Sequence, residues 1–282
     1  MSDSAALYCF DEVRTHDRDR YLTTLFAPNN CRGDLTAIYA FNLEIGRIPF
    51  TVSEPMLAEI RLQWWRDAIA ALYAGNPGDH PVIRALADTM LRQKLSRVFF
   101  ENMIDSCVRD AKETGFDTLD GLSRYTDSSG ASLVLLAMEV LGFGDNELAR
   151  RAALNVGTAW ALLSLVRAQP ILAAHGRLVL PMELVMKHQI QKDEILAGKT
   201  NANAALAFQE ILALAQKHLE FSRELMRDVP KVAHSPLLIS TLADKYLKIL
   251  AKAGGDPFAA TPELNPLWRV VALWSKNALG RY

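Results

Sequence analysis

Apolar residues recur along this chain at intervals of three and four, the spacing of one face of an α-helix. Runs of alternating β-branched residues, the mark of half-buried strands, are nearly absent. The periodicity predicts ten helices, over 17–27, 32–48, 54–74, 79–93, 96–114, 118–142, 146–169, 201–228, 236–253 and 264–279. The breaks between them have physical causes. Pro28-Asn29-Asn30 ends a helix, because proline lacks the amide hydrogen and disfavours helix before it. Gly75-Asn76-Pro77-Gly78 reads as a turn. Gly142 and Gly144 suit a left-handed helix end, and Asp145 suits the cap of the next helix. Pro170, Gly176 and Pro181 bracket a stretch, 170–181, expected to be irregular, and Gly254-Gly255-Asp256-Pro257 marks a further loop. No internal repeat and no flexible linker divides the chain. The expected architecture is all-α: one helical bundle spanning 1–282.

Composition narrows the function classes. The 282 residues suffice for a sizeable core, half of them are hydrophobic, and the net charge is −1. No basic stripe or charged tail points to nucleic acid. Cys9, Cys31 and Cys107 lack any metal-binding spacing, so they read as free thiols in a reducing compartment. The N-terminal segment is acidic, without the basic-then-apolar order of a signal peptide. The longest apolar stretch, 152–166, is shorter than the roughly 20 residues a bilayer span needs and reads as a buried helix. With no anchor and no strongly basic amphipathic helix, at most peripheral membrane contact is expected.

Three segments carry a resemblance: AIYAFNLEIGRIPF at 37–50, RLQWWRDAIAALYAG at 61–75 followed by HPVIRALAD at 80–88, and NVGTAWALLSLVRAQPILAAHGRLVLPMELV at 155–185. In this order and spacing they resemble the squalene/phytoene synthase family, over roughly residues 17–255. The resemblance implies an isoprenoid-synthase-type helical bundle with a central apolar pocket. It also implies head-to-head joining of two prenyl diphosphates, a reaction that needs magnesium. Magnesium is a hard cation held by oxygen ligands, and the family supplies them as paired aspartates spaced four apart on two facing helices.

Those aspartates are missing where the surrounding motif survives. Tyr39, Ala40 and Phe41 match the family's first motif, but its acidic positions fall on Gly46, Arg47 and Phe50. Gly157, Arg167, Gly176, Arg177 and Pro181 match the second, but its acidic positions fall on Ala168, Ile171 and Leu172. No catalytic residue, metal ligand or cofactor is therefore expected; magnesium would be needed only if the chain were an active prenyl transferase. Glu101 with Asp105, and Glu220 with Glu224, have the right spacing but no facing pair, and read as solvated helix faces. Glu44 is expected to pair with Arg47 or Arg61. Trp64 and Trp65 point about 100° apart on a helix, so one should pack the core. His175 lacks a catalytic partner in the sequence. Arg32, Arg61 and Arg177 suit either an anion contact or structural ion pairs. Tyr39, Phe41, Arg61, Gln63, Trp64, Trp65, Arg167 and Arg177 are the candidate contacts to a pocket or an anion.

A subgroup of the family is more similar still. YAFNLEI, VSEPMLAEIRLQWWRDAI, SSGASLVLLAMEVLG and LVRAQPILAAHGRLVLPMEL resemble the respiratory complex I assembly factor that carries a squalene/phytoene-synthase domain. That resemblance implies a non-catalytic assembly or scaffold factor for NADH dehydrogenase. Its client would be a complex I subunit or assembly intermediate, with room for a lipid or isoprenoid ligand. The alternatives are an active prenyl transferase and an isoprenoid carrier. The expected location is the bacterial cytoplasm, with peripheral contact at the inner membrane.

Overall fold

A computed structural model describes residues 3–52, 54–112, 115–260 and 264–279. Fourteen α-helices account for most of them, with no strand among the described residues. In chain order they are α1 (Asp3–His16), α2 (Arg18–Thr24), α3 (Asn29–Thr51), α4 (Pro55–Tyr73), α5 (Pro81–Met90), α6 (Arg97–Ala111), α7 (Leu119–Thr126), α8 (Ser132–Val140), α9 (Glu147–Ala174), α10 (Met182–Lys187), α11 (Lys192–Leu196), α12 (Ala202–Met226), α13 (Ile239–Lys252) and α14 (Pro266–Leu279).

Two long helices organise the bundle. α3 packs against α1, α4, α5, α6 and α8, and α9 packs against α8, α12 and α13. Between them lies α8, SLVLLAMEV, in which every residue is buried. A helix apolar on nearly every side must be enclosed, which explains its central place; its one acid, Glu139, accepts from the Ser96 amide and hydroxyl. A single π-helical turn, Asp127–Ala131, joins α7 to α8. There Gly130 and Gly157 let the π turn and α9 touch backbone to backbone: a Cβ on Gly157 would lie 2.4 Å from Ala131 Cα.

The helices depart from the periodicity at instructive places. α1 was not among the expected elements. Its inward residues are Ala5, Cys9 and Val13, small side chains that leave only a faint stripe. The expected 118–142 helix divides at the π turn, and 170–181, expected to be irregular, begins as helix. α3 runs through Pro49 and α9 through Pro170. Proline removes one intrahelical hydrogen bond, and burial of neighbours such as Ile48 and Leu172 offsets that loss. The last residues of the expected 96–114 helix, 113–114, and Ser53 in the quoted 52–69 segment lie outside the described residues.

All three cysteines are free and buried. Among the described residues only α9 is long and apolar enough to cross a membrane, and most of its apolar window is buried inside the bundle.

Candidate functional site

The C-terminal turns of α3 and α9 meet at one end of the bundle. Phe50 comes from α3 and Leu172 from α9, and both line a single cavity of ≈130 Å³. α9 stops at His175, and Gly176, at φ +72°, reverses the chain so that Arg177 returns over the cavity. The fully buried Gln169 fixes this return: its side-chain amide donates to the Arg177 carbonyl (3.1 Å), and the Val179 amide donates to its oxygen (2.8 Å). The opposite wall is pinned where the amides of Met182 and Glu183 donate to the carbonyls of Phe116 and Asp117.

Leu165, Leu172, Phe116, Val179 and Leu180 make the walls largely apolar. The polar groups are Asp110, Tyr125, Arg177 and Lys192. The Tyr125 hydroxyl donates to the Asp110 carboxyl at 2.8 Å, and the Arg177 guanidinium donates to the Asp110 carbonyl. Burial pushes the Asp110 carboxyl up to about 6, against the pull of Tyr125, Arg177 and Arg109. Burial, and then the charge of Asp110, raise the Tyr125 phenol well above its usual range.

The six positions on which the resemblance places the family's acids do not act alike. Phe50 and Leu172 converge on the cavity, Ile171 is exposed, and Ala168 is half-buried against the core. Gly46 has open space around its α-carbon. Arg47 does not line the cavity. It ties α3 to α1 through an ion pair with Glu12 at 2.7 Å, so its charge is spent there. Glu44 pairs with neither Arg47 nor Arg61; its carboxylate accepts from the Tyr8 hydroxyl instead. Phe50 and Leu172 carry no oxygen ligand, so this pair does not fit magnesium. Among the described residues no group of three or more His, Cys, Asp or Glu could hold a metal ion.

The other candidates scatter. Phe41 packs edge-on against Trp65 and Phe100 in the core, and Trp65 against the half-buried His80. Trp64 lies at the surface, edge-on to Trp65, and Gln63 donates to Asp67. Arg61 is exposed. Tyr39 is buried beneath the Arg20 guanidinium, and its phenol is raised by burial. Arg32 donates to the carbonyls of Leu25 and Ala27, a structural role. His175 is exposed and edge-on to Phe50. Glu101 pairs with Arg97 and Asp105 with Arg66, while Glu220 and Glu224 are exposed.

Arg167, between the cavity-lining Leu165 and Leu172 on α9, belongs to a second polar centre. Its guanidinium sits 3.5 Å from the Tyr246 ring centroid, and its buried Nε has no hydrogen-bond acceptor. The Tyr246 hydroxyl donates to the buried Asp19 carboxylate at 2.9 Å, which also faces Arg269.

Asp110 and Tyr125 were not singled out by the sequence reading. The available signal was an acid in line with the buried stripe of α6, two turns beyond Met103 and one beyond Cys107, because a charged residue on an apolar face is rarely idle.

The squalene/phytoene synthase family model matches residues 13–274. The chain is 27% identical to mouse NADH dehydrogenase (ubiquinone) complex I, assembly factor 6, over 96% of this chain and 82% of that protein. A Drosophila melanogaster homologue of that factor is 28% identical over 88% and 76%. Phytoene synthase 2 of Solanum lycopersicum is 22% identical over 86% and 79%. Among solved structures, a dehydrosqualene synthase superposes with TM-score 0.87 at 17% identity, covering 99% of this chain and 98% of that one. The squalene synthase HpnC from Alicyclobacillus acidocaldarius gives 0.79 at 21% identity, over 90% and 95%.

Proposed function

This chain belongs to the squalene/phytoene synthase family, and on that basis we propose that it is a non-catalytic member acting as an assembly factor for respiratory NADH dehydrogenase, complex I. The observation that carries this reading is the meeting of Phe50 and Leu172 on one cavity wall. Ionising a prenyl diphosphate needs cations held between facing carboxylates. Two apolar side chains in that place offer a metal nothing to bind. The spare acids Glu101 and Asp105 are engaged by arginines on the surface and cannot take over. Similarity to complex I assembly factors over nearly the whole chain supports the client.

The cavity supports a carrier role poorly. Sites for drug-sized ligands run to about 300–1,000 Å³, and this one has ≈130 Å³. The partners in this reading are complex I subunits or assembly intermediates, met in a bacterial cytoplasm at the face of the inner membrane.

Two measurements test the proposal. Purified protein incubated with farnesyl diphosphate and magnesium should release no diphosphate; turnover abolished by Asp110→Asn would overturn the non-catalytic reading. Deleting the gene should lower NADH dehydrogenase activity and the amount of assembled complex I. Unchanged assembly would remove the client.

A further inference from the structure

α14 is apolar on two sides. Its inner side brings Leu273, fully buried, and Trp268 against the bundle, where the helix packs on α13, α2 and the 235–238 turn. Its outer side carries Leu267, Val270, Val271 and Trp274, exposed by 77%, 48%, 62% and 65%. Their spacing, i, i+3, i+4 and i+7, makes one continuous stripe. A single exposed apolar side chain needs no explanation, but four large ones in a row mark an interaction surface.

Cations outnumber acids around the stripe: on α13 the one acid, Asp244, is paired with Arg223, and Glu263 precedes the helix in sequence. Residues 264–282 contain Arg269, Lys276 and Arg281 and no acid. Arg269 is committed to Asp19, which leaves Lys276 on the helix itself. The neighbouring α13 adds Lys245, Lys248 and Lys252 at i, i+3 and i+7, a single helix face. The Lys245 ammonium lies 5.0 Å from the Trp268 ring centroid, which sets this row beside α14. Lys248 and Lys252 are exposed.

We propose that α14, bordered by the α13 lysine row, docks this protein on an anionic lipid bilayer. Aliphatic side chains and a tryptophan on one face with cations at the flank are the composition of a helix lying in a membrane interface. Fourteen residues span only about 21 Å, too short to cross a bilayer, so the helix lies in the plane. A protein partner or a second copy of this chain would also cover an apolar stripe, but neither calls for a row of exposed lysines along its border. This inference does not rest on the assembly role.

Co-sedimentation of the full chain with vesicles tests it. Vesicles of phosphatidylcholine mixed with phosphatidylglycerol should bind the protein, pure phosphatidylcholine roughly tenfold or more weakly, and salt should weaken binding to the mixture. Leu267→Glu with Trp274→Glu should abolish binding. Lys248→Glu with Lys252→Glu should weaken it and flatten the salt dependence. The lysine reversal touches no apolar contact, so it remains decisive should the first variant fail to fold. Failure to bind the mixed vesicles would overturn the proposal. So would binding unaffected by the lysine reversal, or a wild-type dimer that Trp274→Glu dissociates without any change in vesicle binding.

Discussion

The Arg177 guanidinium lies over the Phe50 ring, 4.7 Å from its centroid, and so joins the ends of α3 and α9 across the mouth of the cavity. The two helix ends are thus linked by a cation on an aromatic face. Such a contact at a partly exposed site contributes about 0.5–1 kcal/mol. Phe50→Leu should therefore lower unfolding free energy by roughly that amount in denaturant titrations, with Arg177 still held by the Asp110 carbonyl. A loss several times larger would mean that Phe50 works by packing.

The Asp110 carboxyl gives the fold a pH dependence of defined sign. Its value rises from 3.8 in the free side chain to about 6 in the folded chain, chiefly through burial. The folded protein thus holds this proton more tightly than the unfolded one. The group's contribution is fully present below about pH 4 and is lost as pH rises through 6. Asp110→Asn removes the charge while keeping an acceptor for Tyr125. The variant should be more stable than the parent by on the order of 2 kcal/mol at pH 7.5. The difference should vanish near pH 4, and matched denaturant midpoints at the two pH values would show it.

Glycines on the two central helices should respond oppositely to a methyl group. A Cβ on Gly157 would lie 2.4 Å from Ala131 Cα and 2.7 Å from the Gly130 carbonyl oxygen, and backbone cannot swing aside. Gly157→Ala should cost at least about 1–3 kcal/mol. Gly46 has nothing within 4 Å of a built Cβ. Gly46→Ala should stabilise by roughly 0.5–1 kcal/mol through helix propensity alone. Thermal melts of the two variants would separate the cases, and equal effects would contradict the close approach of α9 and the π turn.

Much of this architecture is legible in the sequence because large apolar residues at helical spacing report burial directly. The Trp64–Trp65 pair is an example: consecutive helix positions diverge, and one ring is indeed in the core while the other faces solvent. α1 escapes the same reading because alanine, cysteine and valine make a weak stripe, and the π turn because local pattern carries no sign of a backbone contact between Gly130 and Gly157. At the site, motif alignment leads to Phe50, Leu172 and Arg177, which do converge. It also leads to Arg47, which does not, because a partner 35 positions earlier, Glu12, claims its charge. Periodicity cannot reveal a partner so distant in the chain. Asp110 is hidden for the reverse reason, since a lone acid at a helix end looks solvated until the fold closes over it.

The buried ion pair between Asp19 and Arg269 should hold α14 in place. Asp19 lies on α2, and its carboxylate takes the Tyr246 hydroxyl at 2.9 Å while facing the Arg269 Nε at 3.2 Å; both charged side chains are largely out of solvent. Removing one partner of a buried pair strands the other charge, at a cost of about 3–5 kcal/mol, whereas removing both is far milder. Arg269→Met should therefore destabilise strongly, Asp19→Asn less, because the asparagine still accepts from Tyr246. The double variant should recover much of the loss. A double-mutant cycle by chemical denaturation measures the coupling, and hydrogen exchange across 266–279 locates it. With Arg269 replaced, amides of α14 should exchange faster while those of α8 keep their protection. Additive single effects, or equal loosening of α8 and α14, would show that the helix is held by Leu273 and Trp268 alone.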